Sequence, residues 1–213
     1  READRIERMM TAFSEQVRPR GDLESRADVI AAATEALGFL SDQGVLRRIT
    51  VTQNFDAAAL MVQATPLQME QVFANLLLNA ADAMLAGGTL TIAAHRRTRA
   101  SFRSAPAARA GDVAAAAPAR AANPRFEAWL GDGTGDDVAS IVVADSGIGV
   151  AAGDEERIFE PFISSKPEGD GGIGLAIVHR IVELAGGIVW VRPSREGGAA
   201  FHIVLPLHER STR

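Results

Sequence analysis

Two asparagines, Asn75 and Asn79, stand four residues apart in the otherwise apolar run VFANLLLNAADAM, residues 72–84. At helical spacing they project from the same side, one turn apart. A buried amide without a partner costs ~1–3 kcal/mol, so two in one stripe need partners. Those partners are either a neighbouring loop tied down by hydrogen bonds, or a ligand. Asp82, one turn beyond Asn79, extends the polar stripe. It favours the ligand, since an amide oxygen beside a carboxylate can hold a hard cation such as Mg²⁺.

Three further segments carry residue types suited to binding. DSGIG (145–149) ends an apolar run with a carboxylate, and Gly147 and Gly149 allow close backbone approach to a flat ligand or form a capped turn. GDGGIGLA (169–176) places glycines before a helical pattern, where free N–H groups and the helix dipole favour an anion. It is neither a Walker A sequence nor a dinucleotide fingerprint, because the lysine and hydroxyl of the one and the strand and acid of the other are missing. RIFEPFISSK (157–166) lies between these two, with Phe159, Phe162 and Ile163 apolar and Lys166 a phosphate-compatible cation. It reads as a docked loop or a lid.

The elements that must position these residues are legible in the pattern. A helix over 4–18 carries Ile6, Met9, Met10, Phe13 and Val17 on one stripe and stops at Arg18-Pro19. A second begins at the N-cap Asp28 and closes near Gly44. Residues 48–55 and 59–64 read as strands. Thr65, Pro66 and Gln68 form a capping box for a helix to about Leu85. Strands follow at 89–95 and 139–145, then a helix over 172–187 and two strands at 187–193 and 199–206 joined by a turn around SREGG. The segment 96–137 is rich in alanine, arginine, glycine and proline, and reads as a flexible insertion; a basic docking loop is the alternative. The sum is an α/β class, a two-layer α/β sandwich of one mixed sheet with helices on one face.

Composition narrows the function. A chain of 213 residues can bury a sizeable core, and its net charge of −5 gives no reason to expect nucleic acid as a partner. The absence of cysteine excludes disulfides, thiolate metal sites and cysteine nucleophiles, and fits a reducing compartment. No apolar run approaches the roughly 20 residues of a spanning helix, so no membrane contact is expected of this chain. Its start without methionine, already in helical pattern, reads as a piece of something longer.

Taken in order, NLLLNAADA, DSGIG, IFEPF-ISSK and GGIGLAIVHRIVELAGG closely resemble the N, G1, F and G2 boxes of the ATP-binding catalytic domain of bacterial sensor histidine kinases. That domain belongs to the superfamily that also holds gyrase, Hsp90 and MutL-type ATPases, with the Bergerat ATP-binding fold. The resemblance covers about 26–207 apart from the insertion. It implies a catalytic domain over 21–213, with residues 1–20 the remnant of the second helix of a dimerisation hairpin. By this resemblance Asn79 would give an amide oxygen to Mg²⁺ on the ATP phosphates, and Asn75 would hold those phosphates. Asp145 would accept from the adenine amino group, with Gly147 and Gly149 allowing the loop its close approach. Gly172, Gly174 and Leu175 would open the phosphate-binding helix, and Lys166, Phe159 and Phe162 would belong to the lid.

The resemblance further implies a protein histidine kinase fragment that does not autophosphorylate alone. The phospho-accepting histidine would lie upstream, in the dimerisation domain of the same protein, with a response regulator downstream. None of His95, His179, His202 or His208 sits in a suitable place. The fragment itself would be cytoplasmic. The related ATPases place a water-activating glutamate where this chain has Asn75, which favours phosphoryl transfer over hydrolysis. The glycine segment departs from the pattern: GDGGIGL is one residue longer than usual, with Asp170 where the first glycine would fall. That departure leaves a non-catalytic nucleotide-binding scaffold as an alternative, and an anti-sigma-type serine kinase shares the same boxes.

Overall fold

The computed structural model describes residues 25–104, 124–131, 137–163 and 172–208. The expected helix over 4–18, Lys166 and Asp170 lie outside the described residues.

The chain enters through β1 (Ala27–Asp28), which pairs antiparallel with β3 (Met61–Val62). Asp28 caps α1 (Val29–Asp42), its Oδ1 accepting from the Ile30 N–H at 3.1 Å and the Leu60 N–H at 2.9 Å. One carboxylate therefore starts the helix and anchors the segment before β3. The strand expected over 59–64 shrinks to two residues, paired with β1 rather than with the main sheet. The cause is the capping box directly after it. Thr65 and Gln68 bond reciprocally with Pro66 in the first turn, and α2 (Pro66–Ala83) begins at once.

The main sheet has five strands in the order β2-β4-β5-β7-β6. These are β2 (Ile49–Phe55), β4 (Gly88–Thr98), β5 (Asp137–Asp145), β6 (Ile188–Pro193) and β7 (Ala199–Pro206). β2 runs parallel to β4, and every other pairing is antiparallel. The crossover between β2 and β4 contains α2, as a parallel connection requires. α5, taking the labels in chain order, spans Gly174–Leu184 and lies beside α2 on the same face. The main core forms there: Ile92, Ile141, Val143, Ile203 and Leu205 from the sheet meet Phe73, Leu76, Leu77, Val178 and Ile181 from the helices.

The opposite face of the sheet is also covered, and the covering comes from the segment 96–137. In its described parts this segment is not loop. β4 continues to Thr98, α3 (Arg99–Ser104) follows, and α4 (Pro124–Gly131) precedes β5. Phe102, Phe126, Trp129 and Leu130 pack on Val138, Ile188, Trp190 and Val204 as a second apolar cluster. Phe126 stacks on Trp129 with centroids 6.0 Å apart and meets Trp190 edge-on at 5.5 Å. The Arg99 guanidinium lies 4.1 Å from the Trp129 ring centre and donates to the Trp129 carbonyl. At the neck, the Arg96 Nε–H donates to Asp137 Oδ2 at 3.0 Å. The aromatic residues here, sparse and spread over a low-complexity stretch, have no helical run to announce them.

Candidate functional site

α2 buries Leu76 and Leu77 completely and leaves Asn75 and Asn79 half-buried on its other side. Asn75 faces the first turn of α5, since a methyl group on Gly174 would come within 3.4 Å of Asn75 Oδ1. The Nδ2 of Asn75 is buried and has no hydrogen-bond partner among the described residues. Such a donor costs ~1–3 kcal/mol unless something outside the chain accepts from it. Asn79 lies one turn further along α2, and Asp82 beyond it is exposed.

The first turn of α5 is open to an acceptor. Ile173 stands at the N-cap and has no side-chain oxygen to offer, so it makes no side-chain cap to the leading N–H groups. Gly172 has φ +67, a left-handed conformation that keeps it out of the helix expected to begin there. Leu175 is half-buried and packs on the main core.

At the far end of α2 sits the loop after β5. Asp145 is 2% exposed, and its Oδ1 accepts from the Gly147 N–H at 2.8 Å and the Ala199 N–H at 3.2 Å. Burial pushes its carboxyl above the ordinary aspartate value, and the two N–H groups pull it part of the way back. Gly147 presses on the helix end, where a Cβ would fall 2.6 Å from the Ala83 Cβ. Within the chain, its missing side chain thus makes room for α2. Gly149 has φ +73.

The two phenylalanines divide the roles that sequence left open. Phe159 is docked, edge-on to Phe201 at 6.3 Å and 5.8 Å from the His179 ring. Phe162 is exposed, has φ +68, and donates its N–H to the Gly172 carbonyl at 3.1 Å. A bulky residue in the left-handed region is uncommon and stores strain of about 1–3 kcal/mol. This bond joins Phe162 to the residue that precedes the N-cap of α5.

Several contributors carry no advance signal. Ser146 anchors the loop to β4, its N–H donating to the Thr89 carbonyl at 3.1 Å and its Oγ accepting from the Thr89 N–H at 2.9 Å. Gly198 comes from the turn after β6, which sequence reads only as a connection, and Ala199 is the first residue of β7. The double glycine Gly197-Gly198 was the one available cue. Among the described residues no group of three His, Cys, Asp or Glu could hold a metal ion. A cation here would therefore depend on amide and ligand oxygens, a set that suits Mg²⁺ when phosphates complete it.

Residues 64–209 match the model of the histidine kinase-, DNA gyrase B- and HSP90-like ATPase family. The chain belongs to that family. It is 30% identical over 208 residues to the sensor histidine kinase ZraS of Klebsiella oxytoca, covering 98% of this chain and 37% of that protein. To the sensor kinase CckA of Brucella abortus it is 32% identical over 200 residues, covering 93% of this chain and 18% of that one. The chain thus spans well under half the length of these relatives. Its fold is that of the catalytic domain of the histidine kinase ThkA, with TM-score 0.61, 20% identity, and coverage of 86% of this chain and 95% of the other. The mycobacterial sensor histidine kinase MprB gives TM-score 0.60 at 20% identity, covering 87% and 99%. The full-length ShkA structure in complex with AMPPNP gives TM-score 0.61 at 21% identity, covering 93% and 34%. No helix among the described residues is long and apolar enough to cross a membrane.

Proposed function

We propose that this chain is the ATP-binding catalytic domain of a two-component sensor histidine kinase, holding Mg²⁺-ATP for phosphoryl transfer to a histidine on another domain of the same protein. The observation that carries this is the placement of α2. Asn75, whose Nδ2 has no partner among the described residues, faces Gly174 from the middle of the helix, and Ala83 meets the Asp145 loop at its C-terminal end. The eight residue steps from Asn75 to Ala83 span about 12 Å of helix. In this reading the phosphates lie at the Asn75 end against the N–H groups of α5, and adenine lies at the Asp145 end. Asn79, between the two, would supply its amide oxygen to Mg²⁺. Bound there, the cation would neutralise charge on the phosphates.

Phosphoryl transfer asks the protein chiefly to position and to neutralise. The acceptor imidazole nitrogen attacks the γ-phosphorus, the bond to the β,γ-bridging oxygen breaks, and ADP leaves as the imidazole sheds its proton. Asn75 occupies the place where a hydrolase would carry a water-activating acid, and a neutral amide cannot take a proton from water. That choice supports transfer over hydrolysis. Lys166 follows the docked Phe159 and the Phe162 bonded to Gly172 in sequence, and in this reading it belongs with them to a lid over the phosphates. The fragment works in the cytoplasm, with the response regulator as the downstream acceptor.

Calorimetric titration with a non-hydrolysable ATP analogue, with and without Mg²⁺, tests the binding half. Saturable, metal-dependent binding is expected, and its absence would sink the reading. Adding the histidine-bearing dimerisation domain of the same protein with labelled ATP tests the kinase half. Label on that domain is expected, and binding without any transfer would instead identify a scaffold.

A further inference from the structure

Asp145 is held by a residue that none of the nucleotide-binding segments contains. The turn between β6 and β7 brings Gly198 so close to the end of β5 that a Cβ on it would overlap Asp145 Oδ1, the Asp145 carbonyl and the Gly147 N–H. Two of these three neighbours are backbone, so no side-chain rotation relieves the overlap. Gly198 is itself fixed, because its carbonyl accepts from the Ser194 N–H at 2.8 Å across the turn. On its other side, a Cβ on Gly149 would come within 3.3 Å of that same carbonyl. The residue that follows, Ala199, is one of the two N–H donors to Asp145 Oδ1.

The two donors converge on one oxygen. Gly147 and Ala199 both bond Oδ1, and among the described residues no hydrogen bond takes Oδ2. A carboxylate so held cannot rotate to exchange its oxygens without losing both bonds. We propose that Gly198 is a positioning residue for base recognition: its missing side chain seats the Asp145 carboxylate against the β6–β7 turn, so that Oδ1 is consumed by backbone and Oδ2 is presented to an exocyclic amino group. This rests on the reading of Asp145 as the adenine acceptor. The class of ligand selected is a 6-aminopurine nucleotide, in preference to a 6-oxopurine one.

The test is a competition of ATP and of inosine triphosphate against a fluorescent ATP analogue, on the parent chain and on Gly198→Ala, with a thermal melt of each. The parent is expected to prefer ATP. Gly198→Ala is expected to lose about tenfold or more of that preference, the size of one hydrogen bond to a charged group. A purely structural role would weaken both nucleotides equally and leave the ratio alone. A folded Gly198→Ala chain with the parental ratio overturns the inference and leaves the reading of Asp145 standing. A parent without any preference overturns that reading, and the inference with it. Should Gly198→Ala not fold, the same ratio on Ala199→Pro decides, since proline removes one of the two donors to Oδ1. A parental ratio there overturns the inference, and a reduced one supports it.

Discussion

Trp129 donates its indole N–H to the carbonyl of Gly186 at 3.0 Å. Through this bond a helix of the 96–137 segment grips the end of α5, the helix whose other end faces Asn75. The described parts of the segment, α3 and α4, are therefore part of the folded unit. Phe126→Ala, at a fully buried position, should cost about 3–5 kcal/mol. Trp129→Phe, which removes the N–H and part of the ring, should cost about 1–2 kcal/mol. Urea denaturation measures both. Midpoints equal to the parent's would mean that the second cluster contributes nothing.

Asn79→Ala should reduce the dependence of nucleotide binding on Mg²⁺, by about tenfold if one amide oxygen leaves the cation. Affinity in the absence of the metal should change much less. Calorimetry at two metal concentrations separates these quantities. An unaltered metal dependence would remove Asn79 from the cation.

Asp145→Asn should reverse base preference rather than abolish binding. If the amide oxygen keeps the two backbone N–H groups now on Oδ1, the new NH₂ takes the place of Oδ2 and faces the base. It then repels a 6-amino group and suits a 6-oxo group. A fall of about tenfold in the ATP to inosine triphosphate ratio is expected from one mispaired hydrogen bond. An unchanged ratio would place Asp145 away from the base.

His202 gives the fold an acid sensitivity of its own. It is buried on the second face, stacked parallel to Trp190 with centroids 5.2 Å apart. Burial, with Arg192 nearby, lowers its pKa to about 4. The unfolded chain takes up the proton near the ordinary value of 6.5 and the folded chain does not. Stability is thus fully present above that value and is lost as pH falls towards 4, by about 2 kcal/mol at pH 5. Urea midpoints at pH 7 and pH 5 should differ accordingly, and His202→Leu should shrink the difference. An equal shift in that variant would assign the effect to other groups.

Local signals in the sequence read well where one element settles its own geometry. The capping box at Thr65, the N-cap at Asp28 and the asparagine pair on α2 are of this kind, because their spacing alone fixes which side chains meet. What the sequence hid depends on contacts between distant segments. Gly198 looks like any turn glycine until Asp145 is folded against it. The second aromatic cluster was hidden for a similar reason, since its parts come from both ends of a long insertion. A trace of it was nevertheless present: ASIVVA (139–144) is apolar without alternation, and such a run belongs to a strand covered on both faces.

The Arg96–Asp137 pair closes the neck of that insertion at the shared end of two adjacent antiparallel strands. For such a junction, doubling the intervening chain adds only about 0.6 kcal/mol of closure entropy. The span between α3 and α4 is thus a place where evolution can lengthen the sequence at little thermodynamic cost, whereas exchanging Phe102, Phe126 or Trp129 would lose the second cluster. The register of β4 on β5, and with it Asp145, stays where it is. A tag or reporter module grafted into that span would take advantage of the same freedom.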